Sequence, residues 1–364
     1  MLTALFAPSA CCALGVSAKS AIVVEALTGT PLFESNADVR LPMASTTKIM
    51  TAVCAIESGM LDKNVEIDPS AVGVEGSSVY LRRGEHMTVR ELTYGLMLSS
   101  GNDAAVAIAC AVSGSVEKFA ALMNDTASRI GAKNTHFTNP NGLDDEQHYT
   151  TARDLAAIAA YGMKNEEFKK IVSSKTAVIS NEGMDYKRRL TNHNRLLKMY
   201  SGCIGVKTGF TKRSGRCLVS AAERNGVVLV AVTLSAPDDW NDHRNMLDFG
   251  FKSVHSYPIV RVGGYACGAN VSGGSELVCS LVYGDSFGAV RIDGANLNYE
   301  IKYKLPKNIS APVGYHQKAG TAEIFCGGKK IKSVPLVCDS VIPKDNTKTL
   351  PRSMYLVLTD FFGR

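Results

Sequence analysis

The sequence of 364 residues lacks several features that mark common classes of protein. No run of about eighteen apolar residues occurs, so no segment is predicted to span a bilayer as a helix. The formal net charge is only +6 and Lys and Arg form no dense block, which argues against a protein dedicated to nucleic acid. Neither Cys-x-x-Cys nor His-Glu-x-x-His occurs, and the seven histidines are dispersed, so no metal or other cofactor is expected.

The beginning of the chain, residues 1–18, resembles the later part of a signal peptide. Residues 2–14 are small and apolar, and residues 16–18 (Val-Ser-Ala) are small at the expected cleavage position. The positively charged start of such a peptide is missing, which indicates a truncated or misassigned start; the alternative is a buried N-terminal helix. Export is the prediction, and it would allow the ten cysteines to form disulfides. Their scatter, with Cys54 and Cys110 inside apolar helical patterns, favours packed core thiols instead.

Length and pattern together predict two domains, because the chain exceeds one average domain. Residues 19–257 mix strand and helix patterns, whereas glycine-punctuated runs of β-branched residues fill 258–343, and 344–364 form a linker and tail. Thr88 and Glu91 form a capping box within the first domain. The segments predicted there are strands at 20–26 and 227–234 and helices at 45–58, 88–98, 103–111, 116–130 and 151–161.

The second domain contains an internal echo. Segments 267–279 and 326–338 both begin with Cys-Gly and end with Leu-Val-Cys, which two similar β-hairpins would explain. Two-residue hairpin loops need positive φ angles. Gly273-Gly274 suits that place in the first copy, whereas Lys332-Ser333 occupies it in the second. The alternative is coincidence within a β-rich domain.

The strongest local signal is a serine and a lysine three residues apart. Ser45 and Lys48 open a segment whose apolar residues recur at helical spacing. Residues three apart share a helical face and lie about 4.5 Å apart along the axis, so the Lys48 amine is expected to reach the Ser45 hydroxyl. A serine needs a base to become a nucleophile, and a desolvated lysine near other cations can be that base. Alone, the pattern more often reflects a serine cap beside a solvated lysine.

Two further motifs follow along the chain. Ser100 and Asn102 lie in a predicted loop between helices, where a hydroxyl and an amide would relay a proton and bind a substrate amide. Lys207, Thr208 and Gly209 end a predicted strand; they offer a cation and a hydroxyl to a carboxylate, and room for a peptide beside the backbone. Each alone is an ordinary loop or strand end. In this order, however, the three motifs match the signature of class A β-lactamases and penicillin-binding proteins.

With these motifs the sequence resembles the low-molecular-mass penicillin-binding proteins, which are serine-type D-alanyl-D-alanine carboxypeptidases. The resemblance covers Ser20 to about Ile342 and includes segments 139–143 and 148–155. It implies a mixed α/β fold: a β-lactamase/transpeptidase-like domain with an antiparallel sheet flanked by helices, then a small all-β sandwich domain. It also implies removal of the terminal D-alanine from peptidoglycan pentapeptide stems, in the cell wall or at the outer face of the cytoplasmic membrane. β-Lactam antibiotics would be covalent inhibitors.

The resemblance also implies roles in catalysis for single residues. Ser45 would be acylated and Lys48 would accept its proton. Ser100 and Asn102 would complete the proton and substrate contacts. The backbone N–H groups of Ser45 and Phe210 would form the oxyanion hole.

For substrate binding, the resemblance implies that Lys207 and Thr208 hold the terminal carboxylate while Gly209 lies along the peptide. Phe210 departs from relatives that carry His there, which puts substrate preference in doubt more than catalysis. His148 falls at a position that faces the cleft in the family, where it would help to place the deacylating water. The alternative for His148 is a structural loop histidine.

Other functions would leave different features in the sequence. A class A β-lactamase should have Asp between Ser100 and Asn102, where Gly101 stands, and a Glu-x-x-Leu-Asn loop, which is missing. A transpeptidase or D,D-endopeptidase would share the acylation chemistry and stays open. A non-catalytic penicillin-binding sensor or wall scaffold is disfavoured because it has no need of all the motif side chains.

The end of the chain is a candidate membrane contact, as in family members that finish with an amphipathic anchor. Five apolar side chains fall on one helical face: Met354, Val357, Leu358, Phe361 and Phe362. Only Arg352 and Arg364 are basic nearby, and about ten helical residues bury little apolar area. The alternative, in which this tail packs against its own β domain, stays open.

Overall fold

The computed structural model describes residues 14–179 and 187–345. Most of the predicted leader, residues 1–13, and the predicted tail helix lie outside the described residues. The chain forms two compact units that divide between His255 and Ser256. This division lies close to the boundary predicted near Pro258.

The first unit combines strands with helices. Its strands are β1 (Ser20–Glu25), β2 (Pro31–Ser35), β3 (Asn64–Glu66), β4 (His86–Thr88), β5 (Thr176–Ile179), β6 (Arg188–Thr191), β7 (Cys203–Thr211), β8 (Gly215–Arg224) and β9 (Val227–Leu234). Its helices are α1 (Lys48–Glu57), α2 (Val89–Leu98), α3 (Asn102–Ser113), α4 (Val116–Ile130), α5 (Ala152–Gly162), α6 (Glu166–Ser173), α7 (Leu196–Met199) and α8 (Asp239–Lys252). Short 3₁₀ turns lie at Ala44–Thr47 and Pro69–Ala71.

Five of these strands form the predicted antiparallel sheet, in the order β2-β1-β9-β8-β7. Successive side chains of a strand point to opposite faces. Ile22 and Val24 of β1 therefore join the core around α1 and α5, whereas Val23 lies beneath Gly250 of α8. Helices thus flank both faces, as the family resemblance implied. Strand β7 is left at an edge of the sheet.

Local signals set the helix boundaries. In the predicted capping box, the Glu91 N–H donates to Thr88 Oγ1 at 3.2 Å and the Thr88 N–H donates to Glu91 Oε2 at 3.0 Å. The helix predicted from residue 45 begins instead with the 3₁₀ turn and becomes α-helical only at Lys48. Over the described residues, no single helix is long and apolar enough to cross a membrane; α3 and α4 would meet that criterion only jointly, across an 84° bend.

From residue 256 to residue 345, the regular elements of the second unit are all strands, as predicted. Its strands are β10 (Val254–Val260), which crosses the division, β11 (Tyr265–Ser272), β12 (Val278–Tyr283), β13 (Phe287–Ile292), β14 (Tyr299–Lys304), β15 (Ile309–Ser310), β16 (Lys318–Cys326) and β17 (Lys329–Cys338). Six of them form one sheet in the order β14-β16-β17-β12-β11-β15, and β10 pairs with β13. The short strand β15 runs parallel to β11. A separate apolar core, which includes Leu281, Ile324 and Leu336, holds this unit together.

The internal echo does not correspond to two equivalent hairpins. In the first copy, β11 pairs with β12 and Ala269 lies opposite Cys279. In the second copy, β16 and β17 turn at Gly327-Gly328, with φ angles of 55° and 79°, and Lys332 lies opposite Ile324 inside the ladder. The interpretation as two similar hairpins is therefore wrong: the second turn lies at the paired glycines, which supply the positive φ angles that it requires, and not at the Lys332-Ser333 position.

The cysteines of the described residues carry free thiols. Cys54 is buried in α1, and Cys217, Cys279 and Cys338 are buried among apolar side chains of the two units. These thiols fill the cores as small apolar groups.

Candidate active site

The 3₁₀ turn before α1 brings Ser45 and Lys48 together. The Thr46 hydroxyl donates to Met43 O at 2.6 Å and the Thr47 hydroxyl donates to Ala44 O at 2.8 Å, which tightens the turn. Residues three apart eclipse each other in a 3₁₀ helix. The Lys48 Nζ consequently lies 2.8 Å from Ser45 Oγ, in hydrogen-bonding distance.

The Lys48 amino group is fully buried and lies within hydrogen-bonding distance of three oxygen atoms. Besides Ser45 Oγ, it donates to Asn102 Oδ1 at 2.7 Å and to Asn141 O at 2.6 Å. Burial lowers the pKa of Lys48 well below its usual value; the positive charge of Lys207 lowers it further, and Asp103 opposes the shift. The neutral amine, which can accept a proton, is therefore favoured.

Segment 139–143 packs against the 3₁₀ turn at Ala44–Thr47, which carries Ser45 and which we call the nucleophile turn. Asn141 supplies the third acceptor to Lys48 through its backbone carbonyl. Gly142 has a φ of 87°, and a Cβ built there would lie 2.0 Å from Ala44 O. This backbone contact fixes the position of the turn that carries Ser45.

The turn that carries Ser45 forms one wall of a cleft, and the Ser-x-Asn motif forms the second wall. Ser100, with a φ of 61°, follows α2 and lines the cleft beside Ser45. Asn102 begins α3; its Oδ1 accepts from Lys48 while its Nδ2 donates to Glu75 O at 2.5 Å. The two interactions fix both ends of the Asn102 amide.

Asp103 is a residue of this wall that the sequence did not reveal as functional. Its buried carboxylate accepts the Ser78 hydroxyl at 2.5 Å, the Val79 N–H at 3.0 Å and the Leu81 N–H at 3.1 Å. The Asn102 N–H donates to Ser77 O at 2.7 Å. Loop 75–81 is thereby attached to the start of α3, and we call this arrangement the Asp103 clamp.

The third wall is the edge strand β7. A Cβ built on Gly209 would lie 3.1 Å from Met43 O and equally close to the N atoms of Ser45 and Thr46, so a larger residue would push β7 away from the nucleophile turn. Thr208 and Phe210 line the cleft, and the Phe210 side chain is 65% exposed.

Lys207 is placed differently from the motif-based expectation. It is 1% exposed, it does not line the cleft, and its Nζ donates to Thr208 O at 2.8 Å. Desolvation lowers the pKa of Lys207 to about 7. The ammonium faces the interior, where it acts electrostatically on Lys48.

His148 does not face the cleft, which corrects the family-based expectation. It is 3% exposed, and its Nδ1 accepts the Thr138 N–H at 3.1 Å. Its Nε2 lies 2.7 Å from Thr47 Oγ1, whose proton is already donated to Ala44 O, so Nε2 is the donor. Desolvation lowers the pKa of His148 to about 4. The neutral ring supports the nucleophile turn, and the structural alternative fits it better.

The three walls enclose a cleft with a volume of about 320 Å³. Besides the motif residues, its lining includes side chains that sequence reasoning missed: Ser77, His193, Arg216, Asp239 and Trp240. No motif marks them, since they come from loops, from β8 and from α8. The only signal is that Trp240 is the single tryptophan of the chain. Among the residues that the structure describes, no group of His, Cys, Asp and Glu could hold a metal ion.

An antiparallel sheet flanked by helices, with a buried lysine against the hydroxyl of a serine, defines the class of serine enzymes to which the three motifs pointed. The chain belongs to the D-alanyl-D-alanine carboxypeptidase family, peptidase family S11, whose model matches residues 7–238. A model of the penicillin-binding protein 5 C-terminal domain matches residues 268–344, within the β unit.

Relatives of known name match along most of the chain. The D-alanyl-D-alanine carboxypeptidase DacF of Bacillus subtilis is 34% identical over 342 residues, which cover 91% of this chain and 87% of the relative. DacC of Escherichia coli is 32% identical over 357 residues, with 92% and 88% covered. The crystal structure of penicillin-binding protein 5 from Haemophilus influenzae matches with a TM-score of 0.64 at 29% identity, covering 91% of this chain and 98% of that one.

Proposed function

We propose that the protein removes the terminal D-alanine from peptidoglycan pentapeptide stems through an acyl-enzyme on Ser45, and that penicillins acylate the same hydroxyl. One observation carries the proposal: the fully buried Lys48 Nζ lies 2.8 Å from Ser45 Oγ. Because burial lowers the pKa of Lys48, its amine can act as a base at a lower pH than the amine of an exposed lysine.

Acylation begins with the transfer of the Ser45 hydroxyl proton to neutral Lys48 while Oγ attacks the carbonyl carbon of the penultimate D-alanine. The N–H groups of Ser45 and Phe210 are the proposed donors to the developing oxyanion. The C–N bond to the terminal D-alanine then breaks, and its nitrogen receives the proton from Lys48 through the Ser100 hydroxyl. Water next attacks the ester with Lys48 again as base, which releases the shortened stem and restores Ser45.

Lys207 is proposed to tune this base. Desolvation is the largest cause of the lowered Lys48 pKa, and the positive charge of Lys207 is the second largest. Like charges disfavour each other's protonation, so a protonated Lys207 keeps Lys48 neutral. Direct contact between Lys207 and a substrate carboxylate stays a prediction.

The proposed substrate implies where the protein works. Stem peptides that end in D-alanyl-D-alanine belong to peptidoglycan, so we propose an extracytoplasmic location, in the wall or at the outer face of the cytoplasmic membrane. β-Lactams are the proposed covalent inhibitors. Membrane contact through the tail beyond residue 345 remains part of this proposal.

Intact-protein mass spectrometry tests the function directly. After exposure to benzylpenicillin the parent should carry a long-lived adduct, and it should release D-alanine from a D-alanyl-D-alanine peptide; Ser45→Ala should do neither. An adduct that disappears rapidly would instead indicate a β-lactamase. A stable adduct without release of D-alanine would indicate a sensor, and labelling of Ser45→Ala would show that the nucleophile lies elsewhere.

A further inference from the structure

The cleft needs a cation at its surface if it is to hold a substrate carboxylate, and Lys207 does not supply one there. Its Nζ is buried and bonded to Thr208 O. Of the described residues that line the cleft, His193 and Arg216 are basic. Desolvation and the charge of Lys207 lower the pKa of His193, so His193 is neutral near pH 7. Arg216 is the permanently positive group on the wall, paired with the Asp239 carboxylate.

Arg216 is positioned by the register of β7 and β8. It lies directly opposite Phe210, and Leu218, two residues further along β8, lies opposite Thr208. Side chains of directly opposed residues share one face of a sheet. Arg216 therefore belongs to the same surface as Thr208 and Phe210, both of which line the cleft.

The guanidinium of Arg216 is anchored on one edge only. Its Nε and Nη2 donate to Asp239 Oδ1 at 3.0 and 2.7 Å, and the Asp239 side chain is almost completely buried. The guanidinium carbon lies 5.6 Å from the centre of the Trp240 ring. Arg216 Nη1 has no hydrogen-bond partner within residues 14–179 and 187–345, and the side chain is 42% exposed.

This arrangement suits the recognition of a carboxylate. A guanidinium carries five N–H donors in a rigid fork, and its second edge can bind a carboxylate with two parallel hydrogen bonds. Asp239 holds the first edge and the Trp240 ring lies against the guanidinium. The Arg216 side chain therefore loses little conformational freedom when its second edge binds. A lysine in the same place would offer a point charge without the fork.

We propose that Arg216 binds the free C-terminal carboxylate of the substrate through its unpartnered edge, beside the Thr208 hydroxyl, and thereby selects peptides that end in a free acid. This inference rests on the function proposed above. Arg216 would thereby supply the cation at the cleft surface, whereas direct contact between Lys207 and the carboxylate stays a separate prediction.

Arg195 offers a matched control. Its guanidinium carbon lies 5.8 Å from the centre of the same Trp240 ring, but Arg195 does not line the cleft. Arg195→Ala removes a positive charge and a contact to Trp240, as Arg216→Ala does, without removing a proposed carboxylate ligand.

The test compares kcat/KM for a peptide that ends in D-alanyl-D-alanine with kcat/KM for its C-terminal amide. In Arg216→Ala the value for the acid should fall by about 10- to 100-fold, the usual effect of losing a hydrogen bond between charged groups, while the value for the amide should change by less than about threefold. Arg195→Ala should keep the acid-to-amide ratio of the parent. Arg216→Lys, which keeps the charge without the fork, should give an intermediate ratio.

An unchanged acid-to-amide ratio in Arg216→Ala, or an equal loss for both peptides, would overturn the inference. Circular dichroism checks folding; if Arg216→Ala does not fold, the ratio in Arg216→Lys decides by the same criterion. A parent that neither binds penicillin nor releases D-alanine would defeat the proposed function instead, so the two failures are distinguishable. A second probe compares benzylpenicillin with its methyl ester, since Arg216→Ala should slow the acylation of Ser45 by the free acid but not by the ester.

Discussion

Replacing Gly142 with alanine should slow acylation of Ser45. The new Cβ would lie 2.0 Å from Ala44 O, about 1 Å closer than a Cβ tolerates. The obstacle is backbone, which cannot rotate away, so the turn that carries Ser45 must move. The left-handed φ costs about 1–2 kcal/mol for a residue with a Cβ, and overpacking adds about 1–3 kcal/mol. The free energy of unfolding should therefore fall by about 2–5 kcal/mol, and a shift of about 1 Å at a reacting group costs about 100-fold in rate.

Gly131 provides the control, because it shares the strained φ without the steric contact. Its φ is 95°, and a Cβ built there meets no atom within 4 Å. Gly131→Ala should lose only the about 1–2 kcal/mol due to φ and should be acylated at the parent's rate. Urea unfolding gives the stability of each variant, and the time course of labelling with a fluorescent penicillin gives the rate. Equal losses of stability in the two variants, or parent-like labelling of Gly142→Ala, would refute this reasoning.

Three further predictions concern the titratable groups. Lys48→Ala should fold but be acylated about 10²- to 10⁴-fold more slowly, because it lacks the general base; a parent-like rate of penicillin labelling would place the base elsewhere. Lys207→Met removes a positive charge that lowers the Lys48 pKa, so the acidic limb of the pH profile of acylation should move to higher pH, and an unmoved limb would contradict the proposed role. Burial lowers the pKa values of His148 and His243 from 6.5 to about 4 and about 3, so the unfolded state binds more protons at acidic pH. The free energy of unfolding should therefore decrease as the pH falls from about 6.5 towards 4, by up to about 1.4 kcal/mol per pH unit for each histidine. Urea midpoints between pH 7.5 and 4.5 measure this slope, which His148→Gln should reduce; the same slope in parent and variant would exclude His148 as a cause.

The Ser45–Lys48 pair and the capping box of α2 could be predicted because both depend on residues three apart, where helix geometry fixes the relation between side chains. Even there, the tighter 3₁₀ turn was not predicted, since it depends on contacts with Gly142 and Gly209 from distant segments. Signals within one turn of helix are readable from sequence. Packing between segments is not.

The remaining site residues escaped prediction for identifiable physical reasons. Asn141 acts through its backbone carbonyl, which every residue carries, so its identity gives no signal. Arg216 and Trp240 belong to different elements that meet only when α8 packs on the sheet. The inward direction of Lys207 could not be read from the motif, because charge alone suggests a surface position. The prediction of two similar hairpins was wrong for a related reason. The matching cysteines suggested equivalent turns, but the turn of the second hairpin lies at Gly327-Gly328, where glycine allows the positive φ angles.

The Asp103 clamp affects how the proposed β-lactam inhibitors would bind to this protein. Since one carboxylate holds loop 75–81 against α3, the wall that carries Ser100 and Asn102 is preorganised before any ligand arrives. Association then loses little free energy to ordering the loop. Acylation should accordingly proceed without a lag, and an effective β-lactam must complement a rigid surface. If the proposed function holds, loosening the clamp would weaken the binding of β-lactam and peptide alike, since both would meet the same wall.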